Sequence, residues 1–334
     1  MLLDKRNRPF RDLRISVTDK CNLRCRYCMP KEIFDDNFPF LPKNELLTFE
    51  EIYEITKAAV EIGDVKKLRL TGGEPLLRKD LPELIAMLSK LEGVEDIAMT
   101  TNGILLPKYA ESLKKAGLHR VSVSLDSLDN TRFQEITGRT MRVQQVLDGI
   151  EAAERAGLKV KVNAVVKKGM NEEDVLPMAR HFRHTGVTLR YIEYMDVGNA
   201  NGWKLDHVLS KKEIIAMIND EFPIESAAPS YKGETADRFR YKDGAGEIGV
   251  ISSVSDAFCD SCSRARLTAD GQLITCLFAV TGTDLKKVVR SEKEQLPEVL
   301  AGLWSRRDDA YSEQRLKETK KHHGKKLEMH RVGG

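Results

Sequence analysis

No apolar run in the chain comes near the ~18 residues that a membrane span needs, and Met1-Leu2-Leu3-Asp4-Lys5 opens no signal-peptide hydrophobic region. We therefore expect a cytoplasmic protein without membrane contact. An excess of charge of either sign is also missing: 54 Lys and Arg stand against 51 Asp and Glu, a formal net charge of +3. A surface coated for nucleic acid would need a stronger bias, so no nucleic-acid partner is expected and any anionic ligand must be met by local clustering. With hydrophobic residues at 41% and charged residues at 31%, the 334 residues have the composition of a folded chain, long enough for about two domains at roughly 150 residues each. Cysteine is scarce, six in all, and its placement is informative. Cys21, Cys25 and Cys28 are separated from Cys259, Cys262 and Cys276 by 230 cysteine-free residues. Nothing places the chain in an oxidising compartment, so metal or redox chemistry is a better expectation than disulfides.

What is present is a repeated alternation. β-rich runs recur at Leu13 to Val17, Lys67 to Thr71, Asp96 to Thr101, Arg120 to Leu125, Lys159 to Val166 and Thr188 to Tyr194. Helix-period segments lie between them, among them Phe49 to Ile62, Leu81 to Leu91, Pro107 to Ala116, Val143 to Ala156 and Glu172 to Arg183. Thr48 with Glu51 predicts a capping box, and Gly63, Gly117 and Gly157 stand where left-handed C-caps are common. Such βα repeats imply a parallel sheet with right-handed crossovers, either partly closed into a barrel or open and doubly wound. A last helix, Lys212 to Phe222, precedes Pro223, and we divide the chain there into residues 1–222 and a smaller second domain, 223–334.

Cys21-Asn22-Leu23-Arg24-Cys25-Arg26-Tyr27-Cys28 has the spacing C-x3-C-x2-C directly after a strand. Three thiolates in one short loop can hold three irons of a 4Fe-4S cluster and leave the fourth iron open to an outside ligand. The alternative is a three-Cys zinc site completed by a distant His. With Tyr27 just before the last Cys, the motif resembles that of the radical S-adenosylmethionine (SAM) superfamily, and Gly72-Gly73-Glu74-Pro75 after the second strand is similar to its GGEP segment. The resemblance implies a partial (β/α)6 TIM-like barrel, SAM chelated by the open iron, and reductive cleavage of SAM to a 5′-deoxyadenosyl radical.

The second triplet reads C-x2-C-x13-C, which suits zinc or iron–sulfur by spacing alone. Arg264 and Arg266 follow it two residues apart, so in an extended segment both guanidinium groups share one face. Arg14, Lys161 and Arg190 lie on predicted strands, where buried cations need an anionic partner such as a polyphosphate. Together with Ser124-Leu125-Asp126-Ser127, Thr100-Thr101-Asn102-Gly103 and the terminal Gly333-Gly334, these features resemble the GTP 3′,8-cyclase family of molybdenum cofactor biosynthesis over essentially the whole chain. Ala257, where that family commonly has Pro, is the one departure.

The resemblance implies a second 4Fe-4S cluster in a smaller C-terminal domain, held by Cys259, Cys262 and Cys276. It assigns SAM contacts to Tyr27, Gly73, Ser124 and Met195, and GTP contacts to Arg14, Arg69, Thr100, Lys161, Arg190, Arg264, Ala265 and Arg266. Arg264, Arg266, Gly333 and Gly334 would serve catalysis, the Gly-Gly tail by entering the cavity. It further implies a homodimer, a one-electron donor such as flavodoxin or ferredoxin, and handover to cyclic pyranopterin monophosphate synthase. Rival readings are a peptide-modifying radical SAM maturase with an auxiliary cluster, which would carry more C-terminal cysteines, and a zinc-dependent adaptor or nucleic-acid-binding protein.

Overall fold

The computed structural model describes residues 2–231, 233–315 and 326–333. Its first part alternates strand and helix: β1 (Asp12–Ser16), α1 (Phe49–Ile62), β2 (Lys67–Thr71), α2 (Leu81–Leu88), β3 (Asp96–Thr101), α3 (Leu106–Lys115) and β4 (Arg120–Ser124). Two helices, α4 (Asn130–Thr137) and α5 (Val143–Arg155), then lead to β5 (Lys159–Val166), and α6 (Val175–Phe182) leads to β6 (Thr188–Glu193). Neighbouring strands pair in parallel and in chain order. The two-residue strand period explains how the sheet is covered. Leu13, Ile15, Leu68, Leu70, Ile97, Met99, Val121 and Val123 are buried in one core cluster with Ile52, Ile55 and Ala59 of α1. Alternate residues on the other face include Arg14, Arg69, Ser122, Lys161, Asn163 and Arg190. A parallel sheet is ordinarily apolar on both faces, so the polar face marks where a ligand is to be held.

Local signals were met in most places. Thr48 accepts from the Glu51 amide and the Glu51 side chain accepts from the Thr48 amide, closing the predicted capping box. Gly117 (φ 109°) and Gly157 (φ 77°) are left-handed as expected. Gly63 is not, with φ −96°. Its glycine serves proximity instead, since a Cβ there would lie 2.9 Å from the Ala59 carbonyl oxygen. α4 was not anticipated, because it turns only Phe133, Ile136 and Thr137 inward and its periodic signal is short.

After α7 (Lys211–Glu221), strands β7 (Ile224–Ala227), β8 (Asp237–Tyr241) and β9 (Glu247–Ile251) form an antiparallel meander whose β9 pairs in parallel with β6. At the opposite side, β10 (Arg264–Leu267) pairs in parallel with β1 and continues antiparallel into β11 (Gln272–Ile274) and β12 (Thr283–Asp284). Among the described residues the result is one 12-stranded sheet in the order β12-β11-β10-β1-β2-β3-β4-β5-β6-β9-β8-β7. The chain beyond residue 222 thus adds strands to both sides of the first sheet. The sheet is rolled into a partial TIM-like barrel. Arg264 of β10 donates to Thr235, beside β8, at 3.0 Å, joining strands that lie at opposite ends of the strand order. Two further helices, α8 (Leu285–Ser291) and α9 (Leu296–Arg306), close the outside near β1, where Phe10 stacks on Trp304 at 4.6 Å.

Candidate active site

The inside of the roll is a cavity of about 290 Å³, and all six cysteines line it. None is in a disulfide. The first three sit in the loop after β1. The Cys28 and Met29 amides both donate to the Cys25 carbonyl, at 2.9 and 2.8 Å, making one tight turn. Buried Arg24 braces it by donating to the carbonyls of Phe34 (2.5 Å), Cys21 (2.7 Å) and Leu23 (2.9 Å). Burial pushes the Cys21 thiol up to about 11, and Cys25 and Cys28 rise further. With no cation these thiols keep their protons, so it takes a metal centre to stabilise the thiolates. A four-iron cluster takes its thiolates at separate irons, and three can come from one short loop such as this. The donor set fits the cluster.

The strand ends around this loop are stitched together. Gly72 and Gly73 pack directly on it: a Cβ on Gly73 would lie 2.3 Å from the Lys20 carbonyl oxygen. Glu74 is fully buried, accepting from Thr101 Oγ1 at 2.7 Å, the Asn102 amide at 2.8 Å and the Leu76 amide at 3.1 Å. Burial raises its carboxyl to about 7 against the pull of those donors. Tyr27 donates to Asp126 at 2.6 Å, and Asp126 accepts from the Val165 amide at 2.8 Å, tying the Cys loop to β5.

The second triplet occupies the opposite side. Cys259 begins a short turn closed by the Cys262 amide donating to the Cys259 carbonyl at 3.1 Å, and Cys276 follows β11. Burial alone would raise the Cys262 thiol, but Arg264 and Arg307 beside it bring it down to about 6.

Between the triplets lies a set of mutually repelling cations. β1 sets Arg14 in register with Arg69 of β2 and Arg266 of β10. Burial, then Arg266, Arg69 and Arg264, lowers Arg14 well below the usual guanidinium range. Burial followed by neighbouring arginines brings Arg69 to about 10, Arg266 to about 9 and Lys161 to about 8. Arg190 is lowered by burial and Arg120, with Glu234 at 3.8 Å as its counter-ion. So many desolvated positive charges on one face need an anion of high charge.

The C-terminal turn reaches this cluster. Arg266 donates to the Val332 carbonyl at 3.0 Å and also to the Gly333 carbonyl. Gly333 has φ 73°, and a Cβ on it would lie 2.2 Å from Thr71 Cγ2. Only glycine passes there. Gly334 lies outside the described residues.

Of the residues expected at the site, Tyr27, Gly73, Ser124, Met195, Arg14, Arg69, Thr100, Arg190, Arg264 and Arg266 line the one cavity with the six cysteines. Lys161 stands outside that lining but within the cationic group. The Ala265 side chain packs in the apolar core, so only its backbone is available to a ligand. Arg8, Asn163, Thr235, Arg307 and Asp309 also line the cavity and escaped sequence reasoning. Asn163 was within reach of it, two residues after Lys161 on the same strand face.

Residues 15–182 match the family described as Radical SAM superfamily, and residues 187–313 match Molybdenum Cofactor Synthesis C. A GTP 3′,8-cyclase of Staphylococcus haemolyticus (strain JCSC1435) is 50% identical over 99% of this chain and 98% of its own length. One from Staphylococcus aureus (strain JH9) is 49% identical with the same coverage. Among solved structures, Streptococcus suis SuiB bound to S-adenosylmethionine shares the fold with a TM-score of 0.63 at 16% identity, covering 89% of this chain and 68% of its own. Native anSMEcpe with bound AdoMet has a TM-score of 0.53 at 16% identity, covering 85% and 81%.

Proposed function

The chain belongs to the GTP 3′,8-cyclase family of the radical SAM superfamily, and on that footing we propose that the cavity lined by all six cysteines holds SAM and GTP between two 4Fe-4S clusters. It is a radical SAM GTP cyclase of molybdenum cofactor biosynthesis. The observation that carries the two-cluster reading is the pair of free thiol triplets facing one cavity, with the cationic group between them. Cys21, Cys25 and Cys28 would hold the cluster that binds SAM, and Cys259, Cys262 and Cys276 the cluster beside GTP. SAM on a reduced cluster would supply hydrogen-atom abstraction.

The rest is the work of this chain. Tyr27 in the Cys loop, with Gly73, Ser124 and Met195 at the ends of their strands, would orient SAM. Arg14, Arg69, Arg190, Arg264 and Arg266, with Lys161, Thr100 and the Ala265 backbone, would hold GTP and its triphosphate, the arginines acting by charge and not as acids or bases. Fixing the ribose next to SAM in a cavity shielded from water gives the new bond to guanine carbon 8 its geometry. Gly333 and Gly334 would keep a side chain out of that space. The product would be (8S)-3′,8-cyclo-7,8-dihydroguanosine 5′-triphosphate. A homodimer in the cytoplasm, a flavodoxin- or ferredoxin-like electron donor and handover to cyclic pyranopterin monophosphate synthase complete the reading.

The test is anaerobic incubation of reconstituted protein with SAM, dithionite and GTP deuterated at ribose carbon 3. Deuterium in the 5′-deoxyadenosine, read by mass spectrometry, is the expected result. Unlabelled 5′-deoxyadenosine with no cyclised nucleotide would overturn the assignment of GTP as the group that loses hydrogen.

A further inference from the structure

We propose that Arg307, supported by Asp4 and Arg8, sets the reduction potential of the cluster on the second triplet by hydrogen-bonding a ligand sulfur from a buried ion-pair network. The proposal rests on the two-cluster reading above. Arg307 Nη2 donates to Cys262 Sγ at 3.2 Å, while its Nη1 donates to the Cys262 carbonyl at 2.6 Å and to Asp4 Oδ2 at 3.2 Å. Arg8 donates to the same Asp4 oxygen at 2.6 Å through Nε, and through Nη1 to the carbonyls of Cys259 at 2.8 Å and Asp309 at 2.7 Å. Its Nη2 is buried with no hydrogen-bond partner. The side chains of Asp4, Arg8 and Arg307 are at most 1% exposed. Asp309, which accepts from Arg307 Nε at 3.2 Å, is the partly exposed member.

Two guanidinium groups are answered by two carboxylates, Asp4 fully buried and Asp309 partly exposed, and the guanidinium N–H groups are what the network presents to Cys262 and Cys259. Arg264 brings a further positive charge beside Cys262. The first triplet is built differently: its buried arginine, Arg24, donates to carbonyl oxygens. Reduction adds an electron to a cluster already negative through its thiolates. N–H donors to sulfur and nearby positive charge favour the reduced form and raise the potential. The network therefore makes the second cluster easier to reduce than its thiolate set alone would be, and Arg307 is a positioning and tuning residue for it.

The experiment uses the full chain with Cys21, Cys25 and Cys28 changed to Ala, so that EPR-monitored redox titration reads the second cluster alone. Arg307→Met should lower the midpoint by roughly 59 mV, a tenfold shift in the oxidised-to-reduced ratio of a one-electron couple. Asp4→Asn removes negative charge and should move it the opposite way. A purely structural role for Arg307 predicts altered iron retention without this opposition of sign. Unchanged midpoints in iron-replete variants would overturn the proposal. If Arg307→Met loses its iron, Asp4→Asn decides, and the absence of an upward shift there refutes it. A parent chain that binds no iron at the second triplet would refute the two-cluster reading and this proposal with it.

Discussion

Gly73 shows how closely single residues are specified around the Cys loop. The Lys20 carbonyl oxygen stands where a Cβ would be, 2.3 Å away, and backbone on that side cannot rotate aside. Gly73→Ala should displace the loop that carries Cys21, at about 1–3 kcal/mol of overpacking, with the rest of the sheet intact. The measurement is iron per chain after reconstitution, together with thermal unfolding. Full iron at the first triplet with an unshifted unfolding transition would contradict the account. The sequence placed this glycine at the site through its motif but could not show that its nearest constraint is the loop it packs on. Arg8 and Arg307 were illegible for a plainer reason. Arg8 stands two residues after Arg6 and Arg307 directly after Arg306, in charged runs like many others in the chain, and what distinguishes them is a meeting of residues 4, 8, 262 and 307 that no local pattern encodes.

At the scale of elements, the terminal turn Met329–Val332 is held by three kinds of contact. The Leu327 amide donates to the Ala279 carbonyl at 3.1 Å, Arg331 pairs with Asp270 at 2.5 Å, and His330 sits among Phe34, Phe38 and Phe40. Burial, then Arg331 and Arg24, lowers the His330 imidazole to about 4. The docked turn therefore favours the neutral ring. Its contribution is present above about 6.5 and is lost as pH falls towards 4, on the order of 3 kcal/mol. Amide hydrogen exchange at residues 329–333 should lose protection over that window while β3 stays protected. His330→Phe should keep the turn docked across it; equal acid sensitivity in that variant would show that another group titrates. Strands and long helices were readable here because their periods run over many residues. The docking of this turn was not, since nothing in Leu327 to Val332 signals an aromatic pocket nearly 300 residues away.

For the whole molecule, the decisive feature is that β9 and β10, both from the chain beyond residue 222, pair with β6 and β1. Sequence periodicity found β1 to β6 but gave no hint that the irregular remainder would continue the same sheet on both sides, because strand pairing over such separations is set by tertiary packing. Residues 1–222 alone would present β1 and β6 as bare parallel edges, a template for association. We expect that fragment to aggregate, or to lack a cooperative unfolding transition, when examined by size-exclusion chromatography and thermal melts. A monomeric, cooperatively folding fragment would show the first part to be autonomous. The arrangement also governs timing in the cell. At about 5–20 residues per second of synthesis, the strands that seal both edges leave the ribosome several seconds after β6 does. During those seconds a nearly finished sheet waits with both flanks open, which makes the nascent chain a natural client for chaperones.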